Sequence, residues 1–532
     1  MEAAASRRET GSLGGLGRYE CRQFRVAWIL AIGLHLAHLV TLPVLITYDG
    51  SWYVWLAEII GRPGFLREWE YLRTPLMPAL LRAAFALFGR QPLAATVLLV
   101  AWGCAGVLLL SLLVGRVSGP VWAAVVAVVL SAYPTLVVYE HAILSETGSA
   151  FFLAATVYAL WRHPPTTLGS TCLLIAVLTL GFYHRSSLLA LAPACGLVGL
   201  LRARYEGDGT TRIGHAPLWG ALGVAVVPFV LAYPWQAHPE ARRRVGESVI
   251  IFGLVRQAAL PIGREIPPAA VELYHRAVQD SLVDGRLPLT GLRDGREYPV
   301  IGLLSKNADR ATTLWFAAVK TRAYWQAFGR TLLVYAGGAI SQSENALFRS
   351  RLLDPALAGS VVYPGPSGLP DLTADFSQRA APSLVGVALR GLSPLYDWLV
   401  PVAVLSIPLG IVFGAVKRDW ALLSIGVLGI SYLGANAAVL NSSDRMAVPV
   451  YPLAFTSIFL LLAKVRHGRR GAGQTRRPGT APGGGSVEDT RLSADSSPVR
   501  QRPCGLREQM PQPLLEDTAA GLPSRRSSAP QP

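Results

Sequence analysis

Long apolar blocks without a single charge punctuate this chain, among them residues 93–115, 121–138 and 402–416. A run of roughly 18 or more apolar residues reads as a transmembrane helix. Of the 532 residues, 52% are hydrophobic and only 15% are charged, against roughly 25% charged in soluble domains. A soluble enzyme, a secreted disulfide domain and a disordered chain are excluded. The expected fold is an all-α polytopic membrane protein with about ten transmembrane helices.

The expected spans lie near residues 26–46, 93–115, 121–139, 146–162, 168–183, 187–201, 217–235, 395–416, 420–440 and 448–465. They divide the chain into a cytoplasmic segment 1–25, a transmembrane core 26–235 with a first outer loop 47–91, an extracytoplasmic region 236–394, C-terminal helices 395–465 and a tail 466–532. The first outer loop is expected to hold interfacial helices, and the region between spans seven and eight to be mixed. Its aromatic stretch 314–335 reads as helices lying on the membrane. The tail is rich in Arg, Gly, Pro and Ser and cannot bury enough apolar surface to order itself. The first span follows a polar N-terminus without a convincing cleavage site, so it reads as retained.

The formal net charge is +16. Such an excess raises nucleic-acid binding as a reading, but the arginines flank helices, so no nucleic-acid partner is expected. With the N-terminus in the cytoplasm, the inner connections carry Arg116, Arg162, Arg202, Arg204, Arg212, Lys417, Arg418, Lys464 and Arg466. This is the positive-inside pattern. The five cysteines form no CxxC pair, and none lies between residues 236 and 394, so no disulfide framework is expected.

Charges at a membrane boundary are costly and are functional candidates by default. Asp49 follows the first span, next to Gly50, Trp52 and Tyr53. Gly50 permits a sharp turn. A partly desolvated carboxylate there would have a raised pKa, which suits a general base; the alternative is a cap on a helix starting near Ser51. Glu70 and Arg73 precede an apolar helix that opens at Pro75. Arg73 can fork onto a lipid phosphate or snorkel as an interfacial anchor. Glu140 and His141 close the third span. Glu146 opens the fourth, where the helix dipole accounts for it. His35 and His38 lie one turn apart in the first span and read as packing or interhelical bonding. Arg185 and Arg445 complete the outer rim. Most spans have clean middles, and the charges gather at one membrane face. A transporter would instead hold them at mid-span.

These residues resemble the GT-C superfamily of polyprenyl-phosphate-dependent glycosyltransferases, most closely its protein mannosyltransferase and aminoarabinose transferase-like branch. Asp49 with Tyr53 resembles that family's first-loop acid and its following aromatic. The run from Arg73 to Pro78 resembles its basic-Pro-Leu-x-Pro element. Ser145-Glu146 resembles its Ser-Glu opening of the fourth span, and Arg445 with Pro449 and Pro452 its last-span motif. The likeness covers about residues 26–200 and more weakly 395–465. Gly50 stands where protein mannosyltransferases carry a second acid, so a lipid, a glycan or a protein all stay open as acceptors.

The resemblance implies a sugar donor on a polyprenyl phosphate, used on the outer face of the cell membrane. Asp49 is the candidate base. Arg73 and Arg445, with Arg185 beside them, are the candidate phosphate clamps. Glu140 or Glu70 could orient the acceptor or hold a divalent metal, though two carboxylates are too few to assert a metal site. Tyr53 and His141 complete the candidate binding set. The competing reading is a transporter or flippase for a lipid-linked sugar.

Overall fold

The computed structural model describes residues 18–206, 215–293, 295–338, 344–353 and 383–474. All belong to one compact unit, Met1–Thr475. The expected tail beyond residue 474 and residues 354–382 lie outside the described residues. Among the described residues every regular element is a helix, apart from two isolated β-bridges.

The first half runs α1 (Arg18–Thr41), α2 (Tyr48–Ile59), α3 (Leu76–Phe88), α4 (Pro92–Ser118), α5 (Pro120–Ser131), α6 (Pro134–His141), α7 (Glu146–Arg162), α8 (Leu168–His184), α9 (Leu191–Glu206) and α10 (His215–Gln236). α11 (Pro239–Val245) opens the region after α10, and α12 (Leu384–Lys417), α13 (Trp420–Ala438) and α14 (Tyr451–Gln474) close the bundle. Among the described residues seven helices are long and apolar enough to cross a membrane, or eight if the bent pair α5 and α6 is one span. The expected count of ten adds α7 and α8, which have 17 residues each and at 1.5 Å per residue sit at the short end of the ~17–25 residues of a spanning helix.

Local chemistry explains the breaks. α5 and α6 meet at 57°, where Pro134 starts α6 and denies the chain a continuous backbone ladder. α2 and α3, with 12 and 13 residues, are too short to span and fill the loop expected to hold interfacial helices. A first core joins α1, α4 to α9 and α12 to α14 around side chains such as Leu110, Tyr133, Phe152, Tyr432 and Phe455. A second apolar core, including Ile251, Tyr274, Val300 and Tyr324, holds together short helices of the region after α10. The aromatic stretch expected to be helical there forms Ala311–Val319 and Arg322–Leu333.

Antiparallel alternation puts Arg116, Arg162, Arg202, Lys417 and Lys464, near the C-terminal ends of their helices, at one end of the bundle. Asp49 and the α6–α7 junction stand at the other. With a membrane-impermeant maleimide on a cysteine-free background, Lys320→Cys is expected to label from outside, and Lys417→Cys only after permeabilisation. Both positions are exposed. The opposite pattern would invert the orientation.

Candidate active site

Two short main-chain contacts assemble the site. The N–H of Leu45 donates to the His141 carbonyl at 2.7 Å, and that of Ile143 donates to the Leu45 carbonyl at 3.1 Å. They join the α1–α2 connection to the α6–α7 junction, bringing the start of α2 beside the start of α7. Thr47 caps α2 by accepting from the Gly50 N–H at 3.0 Å. Asp49 is therefore not the cap, and its carboxylate is free for other partners. Gly50 is needed for a close approach and not for a turn: a Cβ there would meet the Ile143 carbonyl oxygen at 2.9 Å.

Asp49 accepts from both Arg73 and Arg445, one guanidinium on each carboxylate oxygen. Arg445 comes from the 3₁₀ segment Asp444–Val450 before α14, Arg73 from the turn before α3. The Arg445 Nε also stands 3.2 Å from Glu146. Glu146, at the first position of α7, is in turn 3.0 Å from Arg185, which donates to the Ser145 hydroxyl at 3.1 Å. Tyr53, one turn after Asp49, lies under the Arg73 guanidinium at 5.5 Å. Three arginines thus face two carboxylates in this ion-paired set, leaving one positive charge in excess.

The electrostatics reverse one expectation. Burial alone raises the Asp49 pKa, but the Arg445 and Arg73 guanidinium groups outweigh it and hold the carboxyl well below its usual range. Burial opposes the charge on Arg73 as well, and Asp49 beside it restores and raises its pKa. The Arg73 Nε is buried and has no hydrogen-bond partner among the described residues. Glu70 is half-buried; burial pushes its carboxyl up, with Arg73, Arg244 and the Leu72 N–H pulling the other way, and its Oε2 has no hydrogen-bond partner among the described residues.

The structure brings Asp49, Tyr53, Arg73, Arg185 and Arg445 together, with Glu70 on the margin. It does not bring Glu140 and His141 into that set. Glu140 is fully buried and pairs with the His35 Nε2 at 3.1 Å. His141 donates its Nδ1–H to the Pro43 carbonyl at 3.1 Å. Glu146 is the residue that the sequence reading explained away. Its helix-dipole position is real, yet its side chain is 1% exposed and meets two arginines. The Ser145-Glu146 pair was its only sequence signal. Among the described residues no group of three or more His, Cys, Asp or Glu is placed to hold a metal ion.

The pairing of Glu140 implies a stability role. Glu140→Ala would leave His35, 1% exposed, without its partner, and breaking a buried pair costs about 3–5 kcal/mol. We expect a lower melting temperature and little change in turnover per folded molecule. A full loss of turnover in a Glu140→Gln protein that melts normally would move Glu140 into the reaction.

No family model matches the chain, and no curated protein does. Among solved structures it is similar to ArnT from Cupriavidus metallidurans bound to undecaprenyl phosphate, at 16% identity, TM-score 0.30, over 86% of this chain and 81% of that one. ArnT in the apo state matches at 16% identity and TM-score 0.30 over 84% and 79%. An Archaeoglobus fulgidus oligosaccharyltransferase tethered to an acceptor peptide matches at 13% identity and TM-score 0.37, over 86% of this chain and 52% of that one.

Proposed function

We propose that this chain is an integral membrane glycosyltransferase that moves a sugar from a polyprenyl-phosphate donor to an acceptor on the extracytoplasmic face of the cell membrane. The observation that carries the reading is the bridge from Arg73 through Asp49 to Arg445 at the rim of the bundle. Two guanidinium groups from distant parts of the chain are aimed at one small anion. A phosphate fits that spacing chemically, since forked guanidinium contacts suit phosphate and carboxylate alike. The unpartnered Arg73 Nε offers a further donor.

In this reading the donor phosphate enters between the arginines and displaces the Asp49 carboxylate. Relieved of two positive neighbours and still desolvated, Asp49 becomes a stronger base. The acceptor hydroxyl attacks the anomeric carbon and loses its proton to Asp49. The bond from that carbon to the phosphate oxygen breaks, and the electron pair leaves with the polyprenyl phosphate, stabilised by Arg73 and Arg445. Arg185 holds Glu146 and so positions Arg445.

The test is purified protein in lipid nanodiscs with radiolabelled polyprenyl-phosphate sugars. Release of polyprenyl phosphate together with a labelled product is expected. Passage of intact donor across a sealed vesicle without cleavage would sink the reading.

A further inference from the structure

Beside the Asp49 cluster lies an open groove of about 720 Å³, bounded by α2, the turn before α3 and the start of α11. That volume falls within the ~300–1,000 Å³ of small-molecule sites. Its walls are aromatic. Trp52 and Trp55, one helical turn apart on α2, meet edge to face at 5.5 Å. Opposite them, Tyr71 stacks on His238, with centroids 3.9 Å apart and planes 7° from parallel. Carboxylates stand among the rings: Glu70, whose buried Oε2 has no hydrogen-bond partner among the described residues, and Glu240.

The lining favours one chemistry. Glu240 is already paired with Arg243 at 2.7 Å and Arg244 at 3.0 Å, and Glu68 and Glu70 stand with Arg67. With three carboxylates and two arginines among its lining residues, this wall has no net positive charge to draw in a phosphate, whereas the Arg73–Arg445 pair attracts one. Ionised carboxylates only accept hydrogen bonds, so the groove suits a ligand rich in hydroxyl donors. Flat aromatic faces suit a ligand that also has an apolar C–H face. Pyranose rings carry both. An extended peptide would need main-chain partners, and the groove's described walls are side chains on helices and turns.

We infer that this groove is the acceptor subsite and that the acceptor is a carbohydrate, stacked between Trp55 and Tyr71 with a hydroxyl bonded to Glu70. The inference rests on reading the Asp49 cluster as the transfer site. Continuity supports it: Arg73 N–H donates to the Glu70 carbonyl at 2.9 Å, and the Trp69 indole donates to the Arg73 carbonyl at 2.9 Å. One tight turn therefore carries both the groove acid and the phosphate clamp. Glu70 also stands close enough to Asp49 for the two carboxylates to repel each other.

Saturation-transfer NMR on the full chain in nanodiscs tests this, with methyl pyranosides of glucose, mannose and galactose as probes and a neutral hexapeptide as comparison. Transfer to the glycoside ring protons is expected, and none to the peptide. Trp55→Ala with Tyr71→Ala should lower glycoside affinity by roughly tenfold, the equivalent of one or two lost ring contacts. Trp55→Phe with Tyr71→Phe keeps the rings and should retain binding, which guards against a misfolded alanine variant. Equal transfer in wild type and the alanine variant, or binding of the peptide alone, would overturn the inference. Undecaprenyl phosphate binding is measured on the same sample. If it binds and no glycoside does, the carbohydrate subsite falls and the transferase reading stands. If glycosides bind through Trp55 and Tyr71 but the lipid phosphate does not bind, the groove stands as a carbohydrate site, and its acceptor role falls with the transferase reading.

Discussion

Asp49→Asn is expected to lower turnover by roughly 10²-fold or more while tightening the binding of the polyprenyl-phosphate product. The two effects have one cause. In the free protein Asp49 neutralises Arg73 and Arg445, so an incoming phosphate must compete with a carboxylate already in position. Asn keeps the shape and removes the charge. Hydrogen bonds to charged groups contribute about 1.5–3 kcal/mol, and 1.4 kcal/mol is a factor of ten, so a product affinity about tenfold higher is expected. Asn cannot take the acceptor proton, which accounts for the lost turnover. Because Thr47 and not Asp49 caps α2, the substitution leaves the helix start intact. Normal turnover in folded Asp49→Asn protein would remove Asp49 as the base. Unchanged or weaker product binding would show that the carboxylate and the phosphate do not share the arginines.

Arg73→Ala and Arg445→Ala are expected to lower kcat/KM for the lipid donor by roughly 10²–10³-fold each, the usual effect of deleting one donor to a developing oxyanion. Lysine should recover only part, since it cannot make a forked contact. The two alanine variants should differ in stability. Arg73 has Asp49 as its ion-pair partner, and Asp49 retains Arg445 when Arg73 is removed. Arg445 serves both Asp49 and the nearly inaccessible Glu146, so its loss leaves Glu146 to Arg185 alone. A lower melting temperature is expected for Arg445→Ala than for Arg73→Ala. Wild-type rates for both at limiting donor would reduce these arginines to interfacial anchors.

The all-α membrane fold was legible because span length is a one-dimensional quantity: apolar blocks bounded by arginine announce themselves without a partner. The charged rim was legible for the same reason. Asp49, Arg73, Arg185 and Arg445 each stand at the end of an apolar block, and alternating helices bring such ends to one face. Which rim charges meet is a different matter, because it depends on pairings between segments far apart in the chain. Glu140 and Glu146 look alike in sequence, both acids at the α6–α7 junction. The orientation of α6 after its bend turns Glu140 inward to His35, while the first turn of α7 directs Glu146 to Arg185 and Arg445.

The direction of the Asp49 pKa shift was likewise beyond the sequence. Desolvation follows from a residue's place at a membrane boundary, but the two guanidinium groups that overrule it arrive from the turn before α3 and from the segment before α14. The aromatic groove needed the fold as well, since Tyr71 finds His238 only when the start of α11 folds back over the first loop. The sequence by itself therefore determined the solvent, the helical class and the supply of charged residues at one rim, all of which depend on local composition and period. Tertiary structure alone decided which acid faces which arginine, because Coulomb and hydrogen-bond energies act over a few ångströms and are set by distances that no local pattern encodes.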